Sequence, residues 1–394
     1  MKKRPFAALV LLFSLSSVPA LAQGIWKATE SWNWEWEMRY ASWIETKFSA
    51  DFLFNNGIST DCADAGLAAR WIFSRINHLP AGNHLTGSDQ LFTHQSMKQQ
   101  WRGLSTAENW AEDKLFRAAL EYLTTFTDSH SVFRDTYPVA INHYGMAPGA
   151  LQLEMSEHSG HTYIVKSLDL NPKAEVPVGL LNSTVPRKVR VLAENGLWRL
   201  AQPTAEEGGF RRFTWIQETK PGHWAQVQPE AMPYFSNEQF EPFFMAGFFS
   251  FADAIIVRIN PAYDKVKRLM GGLDGLESLL IMRMRTVENG IQICQSVPCT
   301  PGSKTYYEWS TENRDAQIGS VFEQLETLHN ELAPFHPEMA EFWNHKMTRL
   351  FLVPLPTLSF TLTELARRWK AHEYTSDPRD SEEARWGGPV YDLL

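Results

Sequence analysis

Positive charge is in short supply: 37 lysines and arginines stand against 45 aspartates and glutamates, a formal net charge of −8. A nucleic-acid partner needs a basic face, so this balance argues against one. Long apolar runs are also missing. Phe243 to Ile259 comes closest, but Asp253 and Arg258 interrupt it, which argues against membrane insertion. No His-Glu-x-x-His or Cys-x-x-Cys pattern occurs, and no internal repeat. No metal site and no cofactor is therefore expected.

Cysteine is scarce as well, with three in the chain. Cys294 and Cys299 lie close enough to close a small disulfide loop if the backbone turns at Pro298. Cys62 is left without an evident partner. The start of the chain gives that leftover a setting. Lys2, Lys3 and Arg4 precede the apolar stretch Phe6–Val18 and the small-residue site Ala20-Leu21-Ala22. This is the pattern of a secretory leader cleaved after Ala22, so a periplasmic or secreted location is expected. Such a compartment permits the disulfide. An odd cysteine in an exported chain is a candidate reactive thiol.

Local patterns divide the rest. Residues 26–43 carry five tryptophans, of which Trp32, Trp36 and Trp43 share one helical face with Tyr40. That face packs on a core or stacks a ligand; Trp34 falls off it, and Trp34 and Asp61 are the candidate substrate contacts. Residues 61–77 predict a helix capped by Asp61, with an apolar stripe from Leu67 to Ile76 and small residues in its first half. Residues 79–106 read as a long polar surface loop and 107–127 as a helix. Between about 150 and 216, short β-favouring runs separated by Gly, Pro and Asn predict an antiparallel sheet. Beyond 235 helices return, with a stripe of Ile318, Val321, Phe322, Leu325, Leu328 and Leu332 and a further helix over 361–373. The tail from Thr375 reads as a surface wrap. The expected organisation is a leader (1–22), an α+β domain (23–234) and a mainly helical region (235–394).

Cys62 opens the 61–77 helix, where the N-terminal end of the dipole favours a thiolate. Asp61 and Asp64 oppose it with their negative charge. A nucleophile needs a base, and His161 follows a glycine at the start of a predicted strand. His158 is the nearest competitor. Asn182 is the expected orienting group, its carbonyl accepting from the ring, with Asp169 as the alternative. Asn56 and the Cys62 backbone N–H are the candidate oxyanion donors. The rival reading is that Cys62 is a small buried residue, as free cysteines often are.

Asp61-Cys62-Ala63-Asp64 at a helix start, followed by Gly160-His161 at a strand start, resembles the papain-like cysteine peptidase superfamily, and within it the NlpC/P60 group. Ala63 and Asp64 stand where that group has Ser and Gly, and the gap from Cys62 to His161 is longer. The transglutaminase-like branch is similar too, but Tyr163 stands where its His-x-Trp strand has Trp. The resemblance covers residues 50–190. It implies a papain-like core, a central nucleophile helix packed on an antiparallel sheet. It also implies attack of Cys62 on an amide carbonyl, with a peptide or peptidoglycan-type substrate, or acyl transfer to an amine. A non-catalytic glycan-binding or structural protein is the alternative. Oligomeric state is not legible.

Overall fold

The computed structural model describes residues 24–388 apart from 156–159, 198–199, 201, 245, 247, 249 and 353–358. The expected leader, and His158, lie outside the described residues.

Helix α1 (Trp34–Thr46) begins where the Asn33 side chain accepts the Trp36 N–H. A single turn, α2 (Phe52–Asn55), and a two-residue strand, β1 (Ser59–Thr60), lead into α3 (Cys62–Ile76). Asp61 accepts the Ala63 and Asp64 N–H groups, and the Asp64 carboxylate accepts the Asp61 N–H in return, a capping box that fixes where α3 starts. Every side chain from Cys62 to Arg75 is buried, so α3 is a central helix. A hairpin follows, β2 (Gly82–His84) with β3 (Leu91–Thr93), then α4 (Lys114–Thr125) and α5 (Ser129–Arg134).

The strands come next: β4 (Thr136–Pro138), β5 (Leu151–Met155), β6 (Gly160–Leu168), β7 (Val178–Asn182), β8 (Lys188–Val189), β9 (Ala193–Asn195), β10 (Gly208–Phe213), and the hairpin β11 (Ile216–Lys220) and β12 (His223–Gln226). Six of them form one antiparallel sheet in the order β4-β10-β5-β6-β7-β9. Alternation along β6 sorts its side chains between two cores. Ile164 joins Leu151, Leu153 and Leu181 under α1, α3 and α4. Tyr163 and Val165 join Leu180 and Phe210 on the other face, under α6 (Phe251–Ile259). Gly66 lets α3 lie close: a Cβ there would come within 2.9 Å of Leu151.

The C-terminal helices are α7 (Lys265–Ser296), α8 (Lys304–Trp309), α9 (Glu312–Leu332), α10 (Pro337–Thr348), α11 (Leu362–Lys370) and α12 (Glu382–Arg385), with a small hairpin, β13 (Leu350–Leu352) and β14 (Ser359–Thr361). The predicted stripe of α9 faces α7 and α11 in a third core. Cys294 and Cys299 are joined at the end of α7, S–S 1.94 Å. Among the described residues, no helix is long and apolar enough to cross a membrane.

The chain is thus a mixed α/β protein with a sheet packed among helices. Two expectations are corrected. Residues 79–106 are not a surface loop: Asn83, His84, Phe92, His94 and Trp101 are buried, because β2 packs against α5 and the hairpin meets Trp71 of α3 through Asn83 and Phe92. The tail does not merely wrap the surface, since Arg385 and Trp386 are fully buried in the third core region. The second core of the sheet takes in α6 and reaches Tyr263.

Candidate functional site

Capping sets the site's position. The box at Asp61 and Asp64 places Cys62 in the first turn of α3, where β6 begins. The thiol donates to the Gly160 carbonyl at 3.6 Å and lies 3.8 Å from Ser129 Oγ. Strand β7 pairs with β6 only as far as Tyr163–Asn182, so the backbone of residues 160–162 is open on that side. The sulfur sits against this open stretch.

Cys62 is 8 % exposed. Burial pushes its thiol up from the ordinary range, and the Asp61 charge adds to that. Hydrogen bonds from Ser129 and from the Thr162 and Ala63 backbone pull the other way and are outweighed. The resting sulfur is a neutral thiol, consistent with its donating to Gly160.

His161 occupies the second position of β6. Its ring packs edge-on against Tyr163, centroids 4.4 Å apart, and so takes the Tyr163 side of the strand rather than the Ile164 side that meets α3. Asn182, on β7, brings Nδ2 to 2.8 Å from His161 Nε2. Asn182 Oδ1 in turn accepts from Asn195 Nδ2 at 2.8 Å. The structure therefore brings His161 and Asn182 together, and sets Cys62 beside the residue that precedes His161. The groups that hydrogen-bond the Cys62 sulfur include Ser129, the Gly160 carbonyl and the Thr162 and Ala63 N–H groups.

Other expected residues fall elsewhere. The orienting carbonyl of Asn182 is taken by Asn195, so its amide nitrogen, not its oxygen, faces the ring. Asp169 lies exposed past the far end of β6, where it caps a local turn by accepting the Asn171 N–H. A nine-residue strand spans about 30 Å, which removes Asp169 as the orienting group. Asn56 donates its amide to the Phe52 carbonyl at the end of α2. Asp61 serves as the helix cap. Trp34 is half-buried and packs on Tyr234, centroids 4.8 Å apart.

Asp64 is fully buried, and its carboxyl is raised to about 8 by burial and by Asp61, with Arg187 Nε only 3.2 Å away. A second buried charge cluster lies under α1. Burial raises Glu37, but Arg70 and Arg212 outweigh it and hold the carboxyl at about 2.

Sequence patterns missed two arrangements. His84 Nδ1 lies 2.5 Å from Asp135, whose carboxylate also accepts from Asn83 and Gln226. That bond spans 51 residues and leaves no local trace. Ser129 reaches Cys62 because α5 starts beside β6; its capping turn, Asp128 to Ser131, was the one available signal. Among the described residues, no cluster of three or more His, Cys, Asp or Glu is disposed to hold a metal ion.

No protein-family model matches the chain, and neither curated proteins nor solved structures gave a match.

Proposed function

We propose that the protein is a thiol hydrolase of amide bonds, papain-like in its core, with Cys62 as nucleophile, His161 as base and Asn182 positioning the ring. One observation carries the reading: Asn182 Nδ2 stands 2.8 Å from His161 Nε2, while the Cys62 sulfur stands 3.6 Å from the carbonyl of the neighbouring Gly160. A strand histidine thus meets an asparagine on the next strand, and a helix-opening cysteine stands beside the glycine that precedes the histidine. In this reading the resting site is closed. Turnover needs the Cys62 side chain to leave Gly160 and meet the imidazole, which takes the thiol proton as the sulfur attacks the carbonyl. The Thr162 and Ala63 N–H groups already reach the sulfur and favour its anionic form. An exported location makes peptidoglycan stem peptides the substrate class to try first. Cys62→Ser should abolish their hydrolysis and leave the thermal midpoint nearly unchanged; a fully active variant refutes the nucleophilic role. Amide product formed with an added primary amine would assign the chemistry to acyl transfer instead.

A specific observation favours a second reading. The thiol is 8 % exposed, neutral, and bonded to a backbone carbonyl. On that basis Cys62 is a structural pin between α3 and β6 in a non-catalytic protein.

A further inference from the structure

Three aromatic rings from separate parts of the chain form one strip beside β4. Trp34, at the start of α1, packs on Tyr234 at 4.8 Å, and Tyr234 stacks on Tyr144 at 5.4 Å with 24° between planes. His143 continues the strip, 3.9 Å from Tyr144. Tyr234 is 37 % and Tyr144 45 % exposed.

Each ring is held by rigid backbone. Tyr234 has φ 59°, a left-handed conformation that a bulky side chain rarely adopts. Its neighbours impose it: the Ala140 N–H donates to the Tyr234 carbonyl at 2.8 Å, Val139 bridges Phe235, and the Tyr137 hydroxyl holds the Pro233 carbonyl. Tyr144 rides a tight turn in which Asn142 Oδ1 accepts two N–H groups and Gly145 leaves no room for a Cβ against Ala140. The buried Arg212 guanidinium lies 5.7 Å from the Trp34 ring. Backbone strain kept at an exposed aromatic directs attention to a binding role.

The polar tips narrow the ligand. Among the described residues, no protein group hydrogen-bonds Trp34 Nε1 or the hydroxyls of Tyr144 and Tyr234. The strip therefore offers apolar ring surface edged by unspent O–H and N–H donors. A sugar ring has the matching form, a C–H face rimmed by hydroxyls. A proline-rich peptide needs slots between aromatic ridges. Here Tyr234 and Tyr144 stack and Trp34 leans on Tyr234 at 47°, so successive rings are in contact rather than set apart as ridges.

We propose that the Trp34–Tyr234–Tyr144 strip is a binding subsite for the sugar rings of an oligosaccharide. It lies at the β4 end of the sheet, away from the β6–β7 corner, and stands whether or not Cys62 is catalytic.

The full chain would be titrated calorimetrically with chitohexaose, cellohexaose and maltohexaose, and with a proline-rich decapeptide. Saturable binding of at least one hexasaccharide is expected, weakened about tenfold or more by Trp34→Ala and by Tyr144→Ala. Tyr234→Asn is the decisive variant, because asparagine tolerates positive φ. It should keep the thermal midpoint and lose binding to the same degree. Phe335→Ala, at an exposed ring in the turn between α9 and α10, should leave binding unchanged. Binding of no hexasaccharide, binding indifferent to Tyr234→Asn and Tyr144→Ala, or preference for the peptide would each overturn the proposal.

Discussion

Asn182 donates to His161; it does not accept from it. With its carbonyl held by Asn195, Asn182 turns its amide nitrogen toward Nε2 at 2.8 Å. An amide N–H needs an acceptor, so Nε2 is the accepting atom in this contact. In the proposed hydrolase, an imidazole protonated at Nε2 would require the Asn182 amide to turn and Asn195 to release it. In that proposed hydrolase the two asparagines thus act through the amide face that the ring meets. Asn182→Ala should lower hydrolysis about tenfold to a hundredfold, as expected when a reacting group loses its orientation. Asn195→Ala should raise it by freeing the Asn182 carbonyl. Steady-state kinetics on both variants checks the pair; equal rates in all three proteins would detach Asn182 from the chemistry.

Asp64 makes stability fall with rising pH. Its carboxyl is raised to about 8 in the fold, against about 3.8 in the unfolded chain. Between those values the folded state holds a proton that the unfolded state has lost, so folding weakens as pH rises from 4 to 8. Asp64→Asn keeps an oxygen for the Asp61 N–H and removes the titration. The variant should match the parent near pH 4 and exceed it by about 1–3 kcal/mol near pH 8. Urea unfolding at the two pH values measures this; a gap that does not widen with pH contradicts it.

Glu37 behaves in the opposite sense. The paired arginines hold its carboxyl at about 2, below its ordinary 4.5. Its contribution is complete above pH 4.5 and is lost as pH falls through 2. Glu37→Gln leaves Arg70 and Arg212 buried without a counter-charge, and should cost about 3–5 kcal/mol at neutral pH. Chemical denaturation reads the loss directly.

How far these features could be read from the chain depends on whether their cause is local. The start of α3 was legible because a capping box lies within four residues, Asp61 to Asp64. The α9 stripe was legible because helical period and burial coincide. The Gly160–Leu168 strand followed from its β-branched and aromatic run. What failed was non-local. The hairpin at Gly82–Thr93 is short and polar, yet buried, because Asp135 satisfies His84 and Asn83 from 50 residues away. Trp386 sits in a Gly-rich tail, and only the apolar space against Phe360 and Trp369 draws it inward. At the site, His161 and Asn182 could be paired from strand order. The amide direction could not, since it is set by Asn195 on a third strand.

Gly160 is where α5, β5 and the thiol converge. A Cβ there would fall 2.5 Å from Ser129 Cβ and 2.9 Å from Met155 Sδ. Gly160→Ala should cost about 1–3 kcal/mol through overpacking, and should displace the carbonyl that holds Cys62. Thermal melting reads the first effect and faster thiol alkylation the second. A variant as stable as the parent contradicts the packing described here.

Alkylation of Cys62 by iodoacetamide in the folded protein, followed by mass spectrometry against pH in the parent and in His161→Ala, tests the functional account most directly. The hydrolase reading predicts modification without unfolding, at a rate that falls about tenfold or more when the imidazole is removed. Modification that begins only at denaturant concentrations that unfold the chain, with no change on losing His161, would contradict it and leave Cys62 as a pin between helix and strand.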